Sequence, residues 1–139
     1  DRQALVVGVQ AGVIDAIVSQ HQPHDTAAKQ APLPATEPGL SSIESVLSLG
    51  LELVKSGELS RQRLLTALTL GPGRIVGLSP EIACGADADL CIFNPSASWQ
   101  PCEQTLVSTG KHAPLVGREL TGKVELTLVA GRPVWVDNH

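Results

Sequence analysis

Apolar side chains along this chain change their spacing several times, and each change marks a different kind of element. "RQALVVGVQ" (Arg2–Gln10) reads as an amphipathic helix, with Asp1 placed to cap it and Gly12 placed to end it. "VIDAIV" (Val13–Val18) is a nearly continuous, β-branched run rather than an alternating one. Runs of that kind suit a parallel strand buried on both faces. Helix, short turn and buried strand are together the local signature of an α/β repeat. The functional end of such a barrel strand is its C-terminal end, and "SQHQPHD" (Ser19–Asp25) sits there.

From Thr26 to Ser42 the composition shifts to Ala, Pro, Lys and Gln, with prolines at 32, 34 and 38, which predicts a long loop without regular structure. Ser41 and Glu44 then form a capping-box pattern at the start of a helix. Its apolar stripe is Ile43, Val46, Leu47, Leu51 and Val54, with Gly50 on the same face where a second backbone would fit, and Gly57 ends it. Ser60 caps the next helix, "RQRLLTALTL". "GPG" (Gly71–Gly73) should break that helix before a short "RIVGL" turn, with Pro72 at the turn's first helical position.

Beyond about residue 79 the pattern becomes β. "ADLCIFNP" (Ala88–Pro95) predicts a strand ending in an Asn-Pro turn. "GKVELTLVAGRPVWV" (Gly122–Val136) predicts a hairpin, with Val124, Leu126 and Leu128 alternating before a turn at Ala130–Gly131. The order points to an α/β fold in two parts. Residues 1–78 would hold the last barrel strand, a loop and C-terminal helices, and residues 79–139 part of a β domain.

Composition narrows the function classes. The 139 residues suffice for one modest domain. Ten basic against 14 acidic side chains, without a basic cluster, argue against nucleic-acid binding. No apolar stretch is long enough for a membrane span, and no signal peptide is recognisable. Three cysteines (Cys84, Cys91, Cys102) without a CxxC pair read as isolated thiols of a reducing compartment, so the cytoplasm is the expected location. Methionine is absent and the first residues read as a helix already under way, so the chain is expected to belong to a longer polypeptide.

The candidate chemistry gathers at Ser19–Asp25. His21 and His24 stand three apart and Asp25 follows, like the edge of a metal or hydrolytic site. Yet Gln20, the side chain best placed for acid/base work, is an amide. Two histidines do not make a zinc site. His21 reads equally as an interior orienting histidine, and His24 as a hydrogen-bonded loop histidine. Asp89 fits a turn aspartate that satisfies backbone donors better than a catalytic acid. Lys111 and Arg118 are expected to be solvated in a linking loop.

With these pieces placed, the chain resembles the C-terminal third of a dihydroorotase of the amidohydrolase superfamily. The family's last barrel strand, "IDxIATDHAPHT", stands here as "IDAIVSQHQPHD" (Ile14–Asp25), and its loop "APxGIxGLE" as "TEPGLSSIE" (Thr36–Glu44). Further matches follow in order: "GELS" (Gly57–Ser60), "GPGRIVGL" (Gly71–Leu78), "GADADLCIFNP" (Gly85–Pro95) and "APLVGRELTGKVELTLVAGRPV" (Ala113–Val134). The resemblance implies the C-terminal end of a TIM-like (β/α)8 barrel followed by strands of a small β-sandwich. It also implies conversion between carbamoyl-aspartate and dihydroorotate on one or two zinc ions. Those metals would be held by an HxH pair on the first strand, further histidines and often a carboxylated lysine, with the aspartate of "DHAPH" as acid/base group.

The departures bear on chemistry. Gln20 stands where the resemblance places that aspartate. A neutral amide cannot serve as a base near pH 7, and losing a positioned base costs roughly 10²–10⁴-fold in rate. His24 matches the histidine that helps hold the substrate carboxylate, and Gly39 matches the loop glycine. Both are expected to be vestigial substrate-binding residues. Thr36–Glu37 and Ser42–Ile43 replace the family's "AP" and "GL", and Ser42 removes backbone freedom if the site needs a positive φ.

The resulting expectation is a non-catalytic dihydroorotase-like subunit without catalytic or metal-binding residues or a cofactor. It would support assembly of aspartate carbamoyltransferase in pyrimidine biosynthesis. Its partners would be that enzyme's catalytic chains and the remainder of its own polypeptide, in a hetero-oligomer, with neither nucleic acid nor membrane. The alternative is an active zinc-dependent dihydroorotase. A dihydropyrimidinase-like protein is a third reading, which "HQPH" and "PGLSSIE" disfavour. These residues carry no HxH and no lysine placed for carboxylation at a strand end, so alone they should not form an amidohydrolase.

Overall fold

The computed structural model describes residues 1–25, 27–78 and 81–137. Four helices precede a three-stranded antiparallel sheet of order β1-β2-β3. The division expected at residues 78 and 79 falls beside Ser79 and Pro80, which lie outside the described residues, as does Thr26 at the start of the expected loop.

Helix α1 (Arg2–Ala11) ends as its sequence predicts, with Gly12 left-handed at φ 80°. Asp1 precedes it without a side-chain capping bond. The β-branched run that follows departs from expectation. Residues 13–18 pair with no strand of this chain, and Val13 and Val18 are 79% and 71% exposed. A parallel strand takes its partners from distant sequence, and no such partner is among the described residues. Its other face is covered: Ile14 and Ile17 pack against the core, and the Ile17 N–H donates to the Ala67 carbonyl at 2.9 Å.

Residues 27–42 are not wholly irregular, because short 3-10 turns occupy Ala27–Lys29 and Leu33–Ala35. Another 3-10 turn at Ile43–Ser45 leads into α2 (Val46–Lys55). The capping box is not formed. The Ser41 hydroxyl bonds the Gly110 carbonyl, and the Glu44 carboxylate accepts from the Val107 and Ser108 amides at 3.0 Å each. Long-range partners claimed both groups before the helix end could. Ser42 has φ −129°, so no positive φ was lost with a glycine there.

Ser60 does cap α3 (Arg61–Leu68), accepting from the Arg63 N–H at 3.3 Å. "GPG" lies within α4 (Leu70–Ile75) rather than breaking a helix. Pro72 is its third residue, still in the first turn, where a missing N–H costs nothing. Gly50 admits a side chain rather than a backbone: a Cβ there would lie 2.4 Å from Leu64 Cδ1. Leu64 is fully buried in a core with Val9, Leu51, Leu59 and Ala67.

Strand β1 (Leu90–Trp99) runs through the expected Asn-Pro stop. Asn94 Oδ1 accepts from the Ser96 and Ala97 amides at 3.0 and 3.2 Å, and the register to β2 shifts between Asn94 and Ser98. The dipeptide therefore makes a bulge rather than an end. Strands β2 (Leu120–Val129) and β3 (Arg132–Val136) form the expected hairpin. Ala130 and Gly131 turn it at φ 47° and 76°, the positive pair that suits the twist of a hairpin. Asp89 Oδ1 accepts from the Ala130 N–H at 2.7 Å, the turn role its sequence suggested. Lys111 and Arg118 are engaged rather than free: Lys111 donates to the Leu106 carbonyl and Arg118 pairs with Glu52, both at distances of 2.6–2.8 Å.

Helix α2 docks on β2 through Ser48. Its buried hydroxyl donates to the Gly122 carbonyl at 2.8 Å and accepts from Trp99 Nε1 at 3.0 Å. A side chain at Gly122 would meet Leu51 Cδ1 at 2.3 Å, so glycine is required for this approach.

Candidate functional site

Three segments converge on the strand end at Ser19–Asp25. From below, α3 and α4 fix the strand. Arg63 donates to the Val9 and Ile14 carbonyls at 2.8 and 3.2 Å, tying α1 and the strand start to α3. A Cβ on Gly71 would lie 1.9 Å from the Asp15 carbonyl oxygen, so α4 touches the strand backbone directly.

On one side the strand end meets residues 36–43. The Gln22 N–H donates to the Leu40 carbonyl at 3.0 Å, and the Ser42 hydroxyl donates to the Ser19 carbonyl at 2.7 Å. On the other side it meets residues 107–112. A Cβ on Gly110 would stand 2.6 and 2.7 Å from the His24 carbonyl oxygen and nitrogen. Ser41 joins the two flanks, since its N–H donates to the His112 carbonyl at 2.9 Å while its hydroxyl bonds the Gly110 carbonyl.

The sequence-derived residues fall as follows. Gln20 is exposed and holds φ 50°, a left-handed conformation uncommon outside glycine. His21 Nδ1 accepts from the Ser42 and Ile43 amides at 3.1 and 3.3 Å. That fixes the neutral ring's proton on Nε2. His24 Nε2 lies 2.8 Å from the Pro38 carbonyl, an acceptor, so this nitrogen donates. Gly39 packs against His24 at φ 130°, and a Cβ there would come within 3.0 Å of His24 Nε2 and 2.6 Å of Gln22. His24 and Gly39 are thus brought together, and each is engaged with the protein itself. Glu37 is exposed, clear of the strand end.

Two contributors had no signal in the sequence. Lys29 donates through Nζ to the Gly39 carbonyl at 2.8 Å and also to the Glu37 carbonyl. Glu44 organises the 107–108 flank. Neither pairing follows a local spacing rule; the Glu44 partners are 63 and 64 residues away.

The strand end offers too few ligands for a zinc site. His21 Nδ1 is spent on two amides, which leaves that ring's proton on Nε2, while His24 Nε2 donates to a carbonyl and leaves only Nδ1 of that ring with a lone pair. Gln20 offers a neutral amide where an anionic ligand is wanted. Among the described residues, no three His, Cys, Asp or Glu side chains gather as a metal-ligand set. No described helix is long and apolar enough to cross a membrane. Cys84, Cys91 and Cys102 are free thiols.

The fold is that of one third of a hydantoinase chain. A D-hydantoinase (dihydropyrimidinase) from a Thermus species superposes with TM-score 0.87 at 26% identity, over all of this chain and 32% of that one. The inactive dihydroorotase-like domain of a CAD-like multifunctional protein from Chaetomium thermophilum shares the fold with TM-score 0.68 at 18% identity, covering 98% of this chain and 36% of that one.

Sequence relatives are more specific. A dihydroorotase-like protein of Pseudomonas putida is 45% identical over 94% of this chain, and a dihydroorotase of Aquifex aeolicus is 36% identical over 99%. The chain spans about a third of the length of these relatives, 31% and 32% respectively. No protein-family model matches it. The chain is therefore a homologue of dihydroorotase-like proteins and dihydroorotases, with the fold of the corresponding part of the hydantoinases.

Proposed function

We propose that this chain is the C-terminal part of a non-catalytic dihydroorotase-like protein that supports assembly of aspartate carbamoyltransferase. Its first 78 residues would complete a TIM-like (β/α)8 barrel, and residues 79–139 would contribute to a β-sandwich. The carrying observation is Gln20. It stands at the strand-end position where the resemblance places an acid/base aspartate, and a neutral amide neither accepts a proton from water nor supplies a metal with charge. The engaged Nδ1 of His21 and Nε2 of His24 support the same reading, because they leave this strand end with at most one imidazole lone pair for a metal.

The barrel would then act as a scaffold, bound to aspartate carbamoyltransferase catalytic chains in the cytoplasm without a cofactor of its own. The apolar residues left open on the strand, Val13 and Val18, are suited to cover by the remainder of the polypeptide. Size-exclusion chromatography of the full-length protein with aspartate carbamoyltransferase catalytic chains tests the assembly role. Co-elution as one large species is expected at micromolar concentration, and persistent separation would refute it.

A second reading, an active zinc-dependent dihydroorotase, draws on the relatives that bear that name. It requires the general base, and every metal ligand beyond at most His24 Nδ1, to come from residues outside this chain.

A further inference from the structure

Residues 36–43 lie across the strand end as a strap, and the bonds that hold it involve both histidines. His24 Nε2 donates to the Pro38 carbonyl at 2.8 Å, and the Gln22 N–H to the Leu40 carbonyl at 3.0 Å. The Ser42 and Ile43 amides donate to His21 Nδ1. One member of this set comes from the opposite limb of the loop. Lys29, half-buried, places its ammonium on the Gly39 and Glu37 carbonyls, and the Glu37 N–H returns a bond to the Ala28 carbonyl at 3.2 Å.

We infer that Lys29 is the latch of a self-closed strap, and that residues 36–40 lift from Gln22 and His24 when its ammonium is removed, while Ser41 and Ser42 stay held through Gly110, His112 and Ser19. The physical basis is the inequality of the bonds. Those from His24 and Gln22 are neutral, worth about 0.5–1.5 kcal/mol each. The ammonium makes charge-assisted bonds, roughly twice as strong, to two carbonyls one residue apart. Among the described residues Lys29 is also the one charged residue whose side chain bonds across from one limb to the other. The strap approaches the strand end most closely at Gly39, where a Cβ would collide with the Gln22 carbonyl oxygen at 2.6 Å. Opening would free His24 Nε2 and the Gln22 amide, two donors on one edge, for a carboxylate or other anionic ligand. The latch is a property of residues 20–43 and holds whether or not the full-length protein turns over substrate.

Hydrogen exchange of the full-length protein, read by mass spectrometry, tests it with Lys29→Met and Lys29→Arg. Lys29→Met should speed exchange of the amides in 22–24 and 36–40 by about tenfold or more, with α3 (Arg61–Leu68) unchanged as an internal standard and Lys29→Arg near wild type. Equal protection of the strap in Lys29→Met and wild type would overturn the inference, as would an equal acceleration of α3. Acylation of the wild-type protein by acetic anhydride provides a check that needs no variant. Lys29 should react about tenfold more slowly than the exposed Lys55; equal rates would likewise overturn it.

Discussion

Residues 13–25 and residues 120–136 both open on runs rich in apolar side chains, yet the molecule holds them in different ways. The hairpin is secured by its own ladder: β2 pairs on both sides, and its turn is fixed by two positive-φ residues and one aspartate. The strand end has no ladder among the described residues. It is secured instead by contacts from α3, α4 and two flanking loops, most of them between a side chain and a backbone group. A ladder leaves side chains free to vary. A segment held by side-chain and glycine contacts gives up its ring nitrogens and carbonyls to structure, and at Ser19–Asp25 those are the groups a catalytic site would need.

Substitutions at single contacts should make that difference visible in the full-length protein, with the strand region the more sensitive. Gly71→Ala is expected to have the largest effect. Its Cβ cannot coexist with the Asp15 carbonyl 1.9 Å away, so α4 must move off the strand. A loss of about 3–5 kcal/mol in urea unfolding is expected, and a loss below 1 kcal/mol would contradict the contact. Ser48→Ala should cost about 1–3 kcal/mol, because it strands the Gly122 carbonyl and Trp99 Nε1. Of the two tryptophans Trp99 alone should change its emission; an unchanged spectrum would speak against the bond.

On the hairpin side, Asp89→Ala removes one cap from the Ala130 amide and should cost only about 1 kcal/mol. A cost above that of Ser48→Ala would reverse the ranking of the two regions. The smallest effect belongs to an exposed pair far from both. Arg2 donates to Glu58 at 2.7 and 2.9 Å and, with the Ser56 hydroxyl, holds the Glu58 carboxyl down from 4.5 to about 2. A depressed carboxylate contributes stability that is present above its unfolded value and lost as pH falls toward the folded one. Arg2→Gln should therefore lower stability slightly at neutral pH, with the loss shrinking toward nothing as pH falls from 4.5 to about 2. An equal change at pH 7 and pH 3 would rule out this linkage.

The same contrast explains what the sequence disclosed. The hairpin, its Ala130–Gly131 turn and the Ser60 cap rest on partners set by local spacing or a turn type, and pattern rules read them correctly; Asp89 does satisfy a backbone donor, but one that lies 41 residues away. The capping box failed because Ser41 and Glu44 had partners more than 60 residues away. The segment 13–18 was legible as an apolar run, but not its exposure: the reading as a parallel strand presumes partners remote in sequence, and none is among the described residues. At the site, the resemblance drew attention to Gln20, His24 and Gly39. That His24 and Gly39 touch, and that Lys29 closes the strap over them, needed the folded loop.

The most direct test of the central claim is dihydroorotate turnover by the full-length protein, measured with bound zinc and with Gln20→Asp alongside. The account predicts no turnover above background and less than stoichiometric zinc in the wild type, with Gln20→Asp alone failing to restore activity because both histidines stay engaged. Robust wild-type hydrolysis with stoichiometric zinc would contradict it.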